Sequence, residues 1–123
     1  MRAIANKIIL RNLRFHAFHG VMPQEGVVGQ TFIVDMEMDV DYTSAMQSDD
    51  LIDTVSYADV YDVVKAEMCQ PSKLVEHLTM RIAKRVFSQF SKVERIKIRV
   101  IKQNPPMGAD CDGAGVEMDF IRD

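Results

Sequence analysis

The stretch Phe32-Ile33-Val34-Asp35-Met36-Glu37-Met38-Asp39-Val40-Asp41 decides the fold. Phe32, Val34, Met36, Met38 and Val40 share one parity, while Asp35, Glu37, Asp39 and Asp41 share the other with Ile33. Successive side chains of an extended chain point to opposite faces, so this stretch reads as a strand with one dry face and one acidic, wet face.

Working outward, Ile8, Ile9, Leu10, Leu13 and Phe15 form an interrupted strand pattern from Lys7 to about His16. A loop rich in turn formers, Gly20 to Gly29, joins it to the strand above, and the pair suggests an antiparallel hairpin. After a turn-rich passage through Asp49-Asp50 and Asp53-Thr54, Ser56 with Asp59 three residues later looks like a helix start. Tyr57, Val60, Tyr61, Val64 and Met68 then recur at helical spacing. Pro71-Ser72 stops that helix, and Ser72 is the expected cap of a second one, whose stripe is Leu74, Val75, Leu78, Ile82, Val86 and Phe90. Alternation returns in Val93 to Lys102 and again in Val116, Met118 and Phe120. The predicted order is β-β-α-α-β-β, an α+β fold of a four-stranded antiparallel sheet with two helices on one face, forming one domain over residues 1–123. Its exposed strand edges are of the kind proteins remove by pairing with another subunit or closing a barrel.

Composition narrows the partners. A net charge of -3 with scattered Lys and Arg gives no positive field for a phosphate backbone, so nucleic acid is not an expected partner. No apolar run approaches the roughly 20 residues that span a bilayer, and the first residues lack a signal-peptide core, so no membrane association and a cytoplasmic location are expected. Cys69 and Cys111 lack the close spacing of a metal or redox motif and are expected as free thiols.

A few residues break their local pattern. Lys102 continues the parity of Ile96, Ile98 and Val100, which puts an ammonium group at the end of a strand on the face that should be dry. Periodicity alone also allows a bland reading, a frayed strand end from which Lys102 snorkels to water. Glu76 flanks the apolar stripe of the second helix; it is either an ordinary solvated glutamate near a helix N-terminus or a carboxylate for the paired N–H donors of a planar heterocycle. Glu25 in the first loop and Tyr57 at the first helix start could each be surface residues. Together with Lys102 they also have the chemistry of a proton relay. His16 and His19 lie three apart on extended chain and His77 is remote in sequence, so a zinc site is not expected.

Five ordered blocks, Phe18-His19-Gly20, Glu25 with Gly29-Gln30, Asp53-Thr54-Val55-Ser56-Tyr57, Leu74-Val75-Glu76-His77-Leu78 and Lys102-Gln103-Asn104-Pro105-Pro106, give the chain its resemblance to the dihydroneopterin aldolase family. The resemblance implies the tunnelling fold, in which sheets join around a ring of four subunits into a barrel, with two rings stacked as a homo-octamer and each active site between neighbours. It also implies an enzyme of folate biosynthesis, a lyase that splits 7,8-dihydroneopterin into 6-hydroxymethyl-7,8-dihydropterin and glycolaldehyde with neither metal nor cofactor. By the same resemblance, Glu76 would hold the pterin with backbone help around Val75 and Val55. Lys102 would be the central acid–base group, Tyr57 would relay protons, and Glu25 would order the lysine and a water. Epimerisation at the 2′ carbon to dihydromonapterin is an implied side activity. The rival readings are a dihydroneopterin triphosphate epimerase, which would need a cationic cluster not seen near these blocks, and a pterin-binding ring without chemistry.

Overall fold

The alternating strand lies second in a four-stranded antiparallel sheet of order β1-β2-β3-β4. The computed structural model describes residues 1–123, with β1 at Lys7–Ala17, β2 at Gln30–Val40, β3 at Val93–Lys102 and β4 at Ala114–Ile121. Two long helices, α3 (Tyr57–Met68) and α4 (Val75–Gln89), follow the short α1 (Pro23–Val27) and α2 (Thr43–Ser48). The predicted order of the six main elements is therefore present. The first of the short helices falls in the stretch read from sequence as a loop and the second just before the turn-rich passage, and neither is long enough to show a periodicity.

The dry parity of β2 is Phe32, Val34, Met36, Met38 and Val40, each at most 1% exposed, and it meets Ile96, Ile98 and Val100 of β3 on the same face. Over this face lie Val60, Val63, Val64 and Met68 of α3 and Leu78, Ile82, Ala83 and Val86 of α4. Burial of those side chains at ~1.5–3 kcal/mol each makes the sheet–helix layer the principal source of stability. On the opposite face the acidic parity of β2 meets a basic one, with Asp35 opposite Arg99, Glu37 opposite Lys97 and Asp39 opposite Arg95.

The interruption in β1 is a bulge. Between Leu10 and Leu13 the pairing with β2 slips by one residue, Asn12 takes a left-handed φ of 54°, and its N–H donates to Asp35 Oδ1 at 2.8 Å. The extra residue moves the inward parity from Ile8 and Leu10 to Leu13, Phe15 and Ala17.

One sequence expectation fails. Ser72 does not cap α4: Leu74 occupies that position without a side-chain hydrogen bond, and the Ser72 hydroxyl is engaged elsewhere. Ser56 does cap α3, accepting the N–H of Asp59 at 3.3 Å.

Because α3 and α4 run in opposite senses, they separate the chain into two ends. The β1–β2 connection, the α3–α4 link and the last residue of β3 lie at one end, as the bonds Gly20 N–H to Ser72 O and Gln103 N–H to Thr31 O show. The start of α3 lies at the other, where Lys92 donates to Ile52 O at 2.5 Å.

Candidate active site

Lys102 closes β3 opposite Phe32, on the parity that faces the helices. Its side chain is 15% exposed and does not snorkel to water; Nζ donates to Glu25 Oε2 at 2.6 Å. Glu25 is itself buried, on the first turn of α1, and its other oxygen accepts the Met22 N–H at 3.2 Å. The segment read from sequence as a loop rich in turn formers therefore folds back and inserts a carboxylate beside the lysine. Gly20 makes this possible: its φ of +153° lies in the region that favours glycine, and a Cβ there would collide with the Glu25 carboxylate. A low-dielectric ion pair of this kind is held by mutual charge, and either partner alone would be left buried and uncompensated.

The chain next to Glu25 is pinned from the far side. His19 is fully buried, packs edge-on against Phe32 with ring centroids 5.1 Å apart, and accepts the Ser72 N–H on Nδ1 at 2.9 Å. An accepting Nδ1 places the proton of the neutral ring on Nε2, which makes no well-formed hydrogen bond and has only a weak contact with the Met68 backbone. Burial pushes the His19 pKa down to about 4, with the positive charges of Arg81 and Lys102 acting in the same direction and the Met68 backbone opposing them. The imidazole is held by its packing on Phe32 and its Nδ1 bond. Sequence reading gave His19 no role beyond a metal test; its presence in the Phe18-His19-Gly20 block was the available signal.

Val75 and Glu76 begin α4 at this same end. Glu76 is exposed and makes neither hydrogen bond nor ion pair within the chain, and Val75 is half-buried. Met22 and Leu74, both about half exposed, are also carried by the β1–β2 connection and the residue before α4. Val55 and Tyr57 are elsewhere. Val55 is buried and Tyr57, 65% exposed, is the first residue of α3. The twelve residues of α3 span about 17 Å, and Tyr57 sits at the end remote from Lys102. The fold therefore brings Glu25, Lys102, Val75 and Glu76 to one end and leaves Val55 and Tyr57 at the other.

The histidines occupy three separate settings. His16 Nε2 lies 3.1 Å from Val28 O, His19 is bonded to the Ser72 backbone, and His77 Nδ1 lies 2.8 Å from Ser72 Oγ. Cys69 and Cys111 are free and exposed. No helix is long and apolar enough to cross a membrane.

Chemically, this end offers a lysine–carboxylate pair sheltered from water and an unpaired carboxylate facing solvent. The first can hold and pass a proton, and the second can accept two N–H donors. Comparison with known proteins gives the family. The family model for FolB, dihydroneopterin aldolase, matches residues 8–119. The dihydroneopterin aldolase of Staphylococcus epidermidis is 45% identical over 112 residues, covering 90% of this chain and 93% of that relative. That of Streptococcus pyogenes is 37% identical over 119 residues, covering 95% and 99%. Among solved structures, FolB from Vibrio cholerae matches with a TM-score of 0.89 at 27% identity, covering 98% of this chain and 100% of that one. The Escherichia coli dihydroneopterin aldolase in complex with neopterin matches at 0.85 and 26% identity, covering 94% and 98%.

Proposed function

The chain belongs to the dihydroneopterin aldolase family, and we propose that it performs that reaction at sites each shared between two copies of itself. It is a lyase that cleaves the side chain of 7,8-dihydroneopterin, giving 6-hydroxymethyl-7,8-dihydropterin and glycolaldehyde. The observation that carries the assignment to this end of the fold is the sheltered Lys102–Glu25 pair at 2.6 Å beside the start of α4.

Glu76 accepts the ring N–H and amino group of the pterin, a two-point contact that its unpaired, exposed carboxylate leaves available. Backbone groups around Val75 and Val55 complete the recognition. Near Lys102 the 2′-hydroxyl gives up its proton, the C1′–C2′ bond breaks, and the released pair flows through the C6=N5 imine to N5, which is protonated. Glycolaldehyde departs carrying C2′ as its carbonyl, and protonation of the resulting enol at C1′ with loss of the N5 proton restores the C6=N5 imine and yields the hydroxymethyl product. Lys102 moves the proton, Glu25 holds the ammonium in place and orders a water, and Tyr57 relays protons at the side-chain hydroxyl. The dihydropterin imine is the electron sink, so the route calls for neither a Schiff base on Lys102 nor a Lewis-acid metal.

Tyr57 and Val55 reach this end only from a second copy, since about 17 Å of helix separates Tyr57 from it within one chain. The unpaired edges of β1 and β4 support a closed ring, which is the tetramer of the family resemblance, with two rings stacked as an octamer. A cytoplasmic location fits free exposed thiols.

The test is incubation of the purified protein with 7,8-dihydroneopterin in the presence of a chelator, with both products followed by chromatography. Catalytic release of both is expected. Lys102→Ala is expected to reduce turnover by at least about 100-fold while neopterin still binds. Dihydromonapterin as the sole product would replace the aldolase by an epimerase. Tight binding of neopterin with no turnover in the wild type would leave a pterin-binding ring.

A further inference from the structure

We propose that Ser72 is a positioning residue that fixes the spacing between the proton-transferring Lys102–Glu25 pair and the pterin-holding carboxylate of Glu76; the inference rests on the roles given to those residues above. Ser72 lies in the link between α3 and α4 and is buried. All its polar atoms are engaged. Its N–H donates to His19 Nδ1 at 2.9 Å, and its carbonyl accepts the Gly20 N–H at 2.9 Å. Its Oγ accepts from Arg81 Nη2 at 2.9 Å and Nε at 3.2 Å and lies 2.8 Å from His77 Nδ1. A guanidinium only donates, so the hydroxyl proton is left for His77 Nδ1.

These bonds run to two different parts of the site. The backbone pair ties Ser72 to His19 and Gly20, and Gly20 is the surface against which the Glu25 carboxylate packs. The hydroxyl ties it to His77, the residue after Glu76, and to Arg81 one turn farther along α4. Arg81 is anchored in turn to Glu67 Oε2 at 2.7 Å and to Gln70 O at 2.6 Å, so the clasp does not swing as a unit. None of this serves to start α4, which begins at Val75 without a side-chain cap. Ser72 is thus the one residue bonded both to the segment that seats Glu25 and to the helix that carries Glu76.

Such a link matters for the chemical step more than for binding. Glu76 needs only its own carboxylate to hold the pterin ring, whereas cleavage needs the 2′-hydroxyl brought to Lys102 within hydrogen-bond reach, where small misplacements are costly. Ser72→Ala keeps both backbone bonds and removes the hydroxyl, which breaks the direct tie of α4 to the Glu25 side of the site while Arg81 keeps its bonds to Glu67 and Gln70.

Ser72→Ala, Ser72→Thr and the wild type, each full length, are compared in kcat and KM for 7,8-dihydroneopterin, in Kd for neopterin by calorimetry, and in thermal midpoint. Ser72→Ala is expected to lose about tenfold or more in kcat with Kd within about threefold of wild type, and Ser72→Thr, which restores the hydroxyl, to recover most of the loss. Unchanged kcat in Ser72→Ala overturns the proposal, as does a joint loss of kcat, binding and thermal midpoint that threonine does not rescue. Should Ser72→Ala fail to fold, His77→Ala removes only the exposed acceptor of the hydroxyl proton. A kcat loss of about threefold at constant Kd is then expected, and wild-type kcat overturns the proposal. A wild type that binds neopterin but does not cleave 7,8-dihydroneopterin sinks the aldolase reading and this inference together, whereas the other outcomes bear on Ser72 alone.

Discussion

His19 shows how one side chain couples the core to the site. With its folded pKa near 4 and an unfolded value near 6.5, the native state holds the ring neutral while the unfolded chain takes up a proton as pH falls. Stability contributed by the neutral ring is fully present above about pH 6.5 and is lost progressively down to pH 4, a span of at most about 3 kcal/mol. In His19→Asn an amide oxygen takes the place of Nδ1 as acceptor for the Ser72 N–H and does not titrate. Urea unfolding at matched protein concentration should show the loss between pH 7 and 4.5 shrinking by about 2 kcal/mol in that variant, the other two histidines cancelling in the difference. Parallel curves for variant and wild type would mean that His19 is not the group responsible. The same residue marks the limit of sequence reading. Lys102 announced itself as a charge on the dry parity of a strand, but the burial of His19 and Glu25 depends on contacts with Ser72 and Lys102, distant in the chain, which no local pattern encodes.

Among the elements, those with a sustained period were legible and those without one were not. β3 runs over the predicted residues Val93 to Lys102, and the two long helices bury most of their expected apolar stripes, with Tyr57 and Leu74 at their starts left exposed, because ten or more residues repeat a pattern. The helix α1, five residues with Gly26 inside it, offers no such repeat, and yet it delivers Glu25. β1 lies between these cases: its pattern looked interrupted because Asn12 is an inserted residue that reverses parity. Deleting Asn12 would turn Ile8 and Leu10 outward and bring Ile9 and Arg11 toward the helices, and it would also remove the bond to Asp35. A loss of about 3 kcal/mol in unfolding free energy is expected from exposing those two side chains, with Ile9 offsetting part of the effect. A deletion variant within about 1 kcal/mol of wild type would show that β1 tolerates either register and that the bulge does not set its faces.

At the scale of the whole molecule, the proposed site residues lie at two ends of the chain, and under the proposed function this makes assembly part of catalysis. Lys102 and Glu25 stand at one end of the chain's helical layer and Tyr57 at the other, an arrangement no rearrangement of one copy repairs without unfolding α3. The sequence blocks that carry these residues gave no sign of their separation, since the distance arises from two helices running in opposite senses between them. If each site takes Lys102 from one copy and Tyr57 from its neighbour, the contact between copies is heterologous, and the defects of different variants fall on different members of each pair. Lys102→Ala and Tyr57→Phe, each nearly inactive alone, should therefore complement when unfolded together in equal amounts and refolded. Random assembly leaves about one site in four with both native residues, so the mixture should regain roughly a quarter of wild-type specific activity. Refolding each variant separately before mixing supplies the control, which should stay at the level of the parents. A co-refolded mixture that also stays there would place both residues in one chain's site, and the ring would then serve stability rather than chemistry.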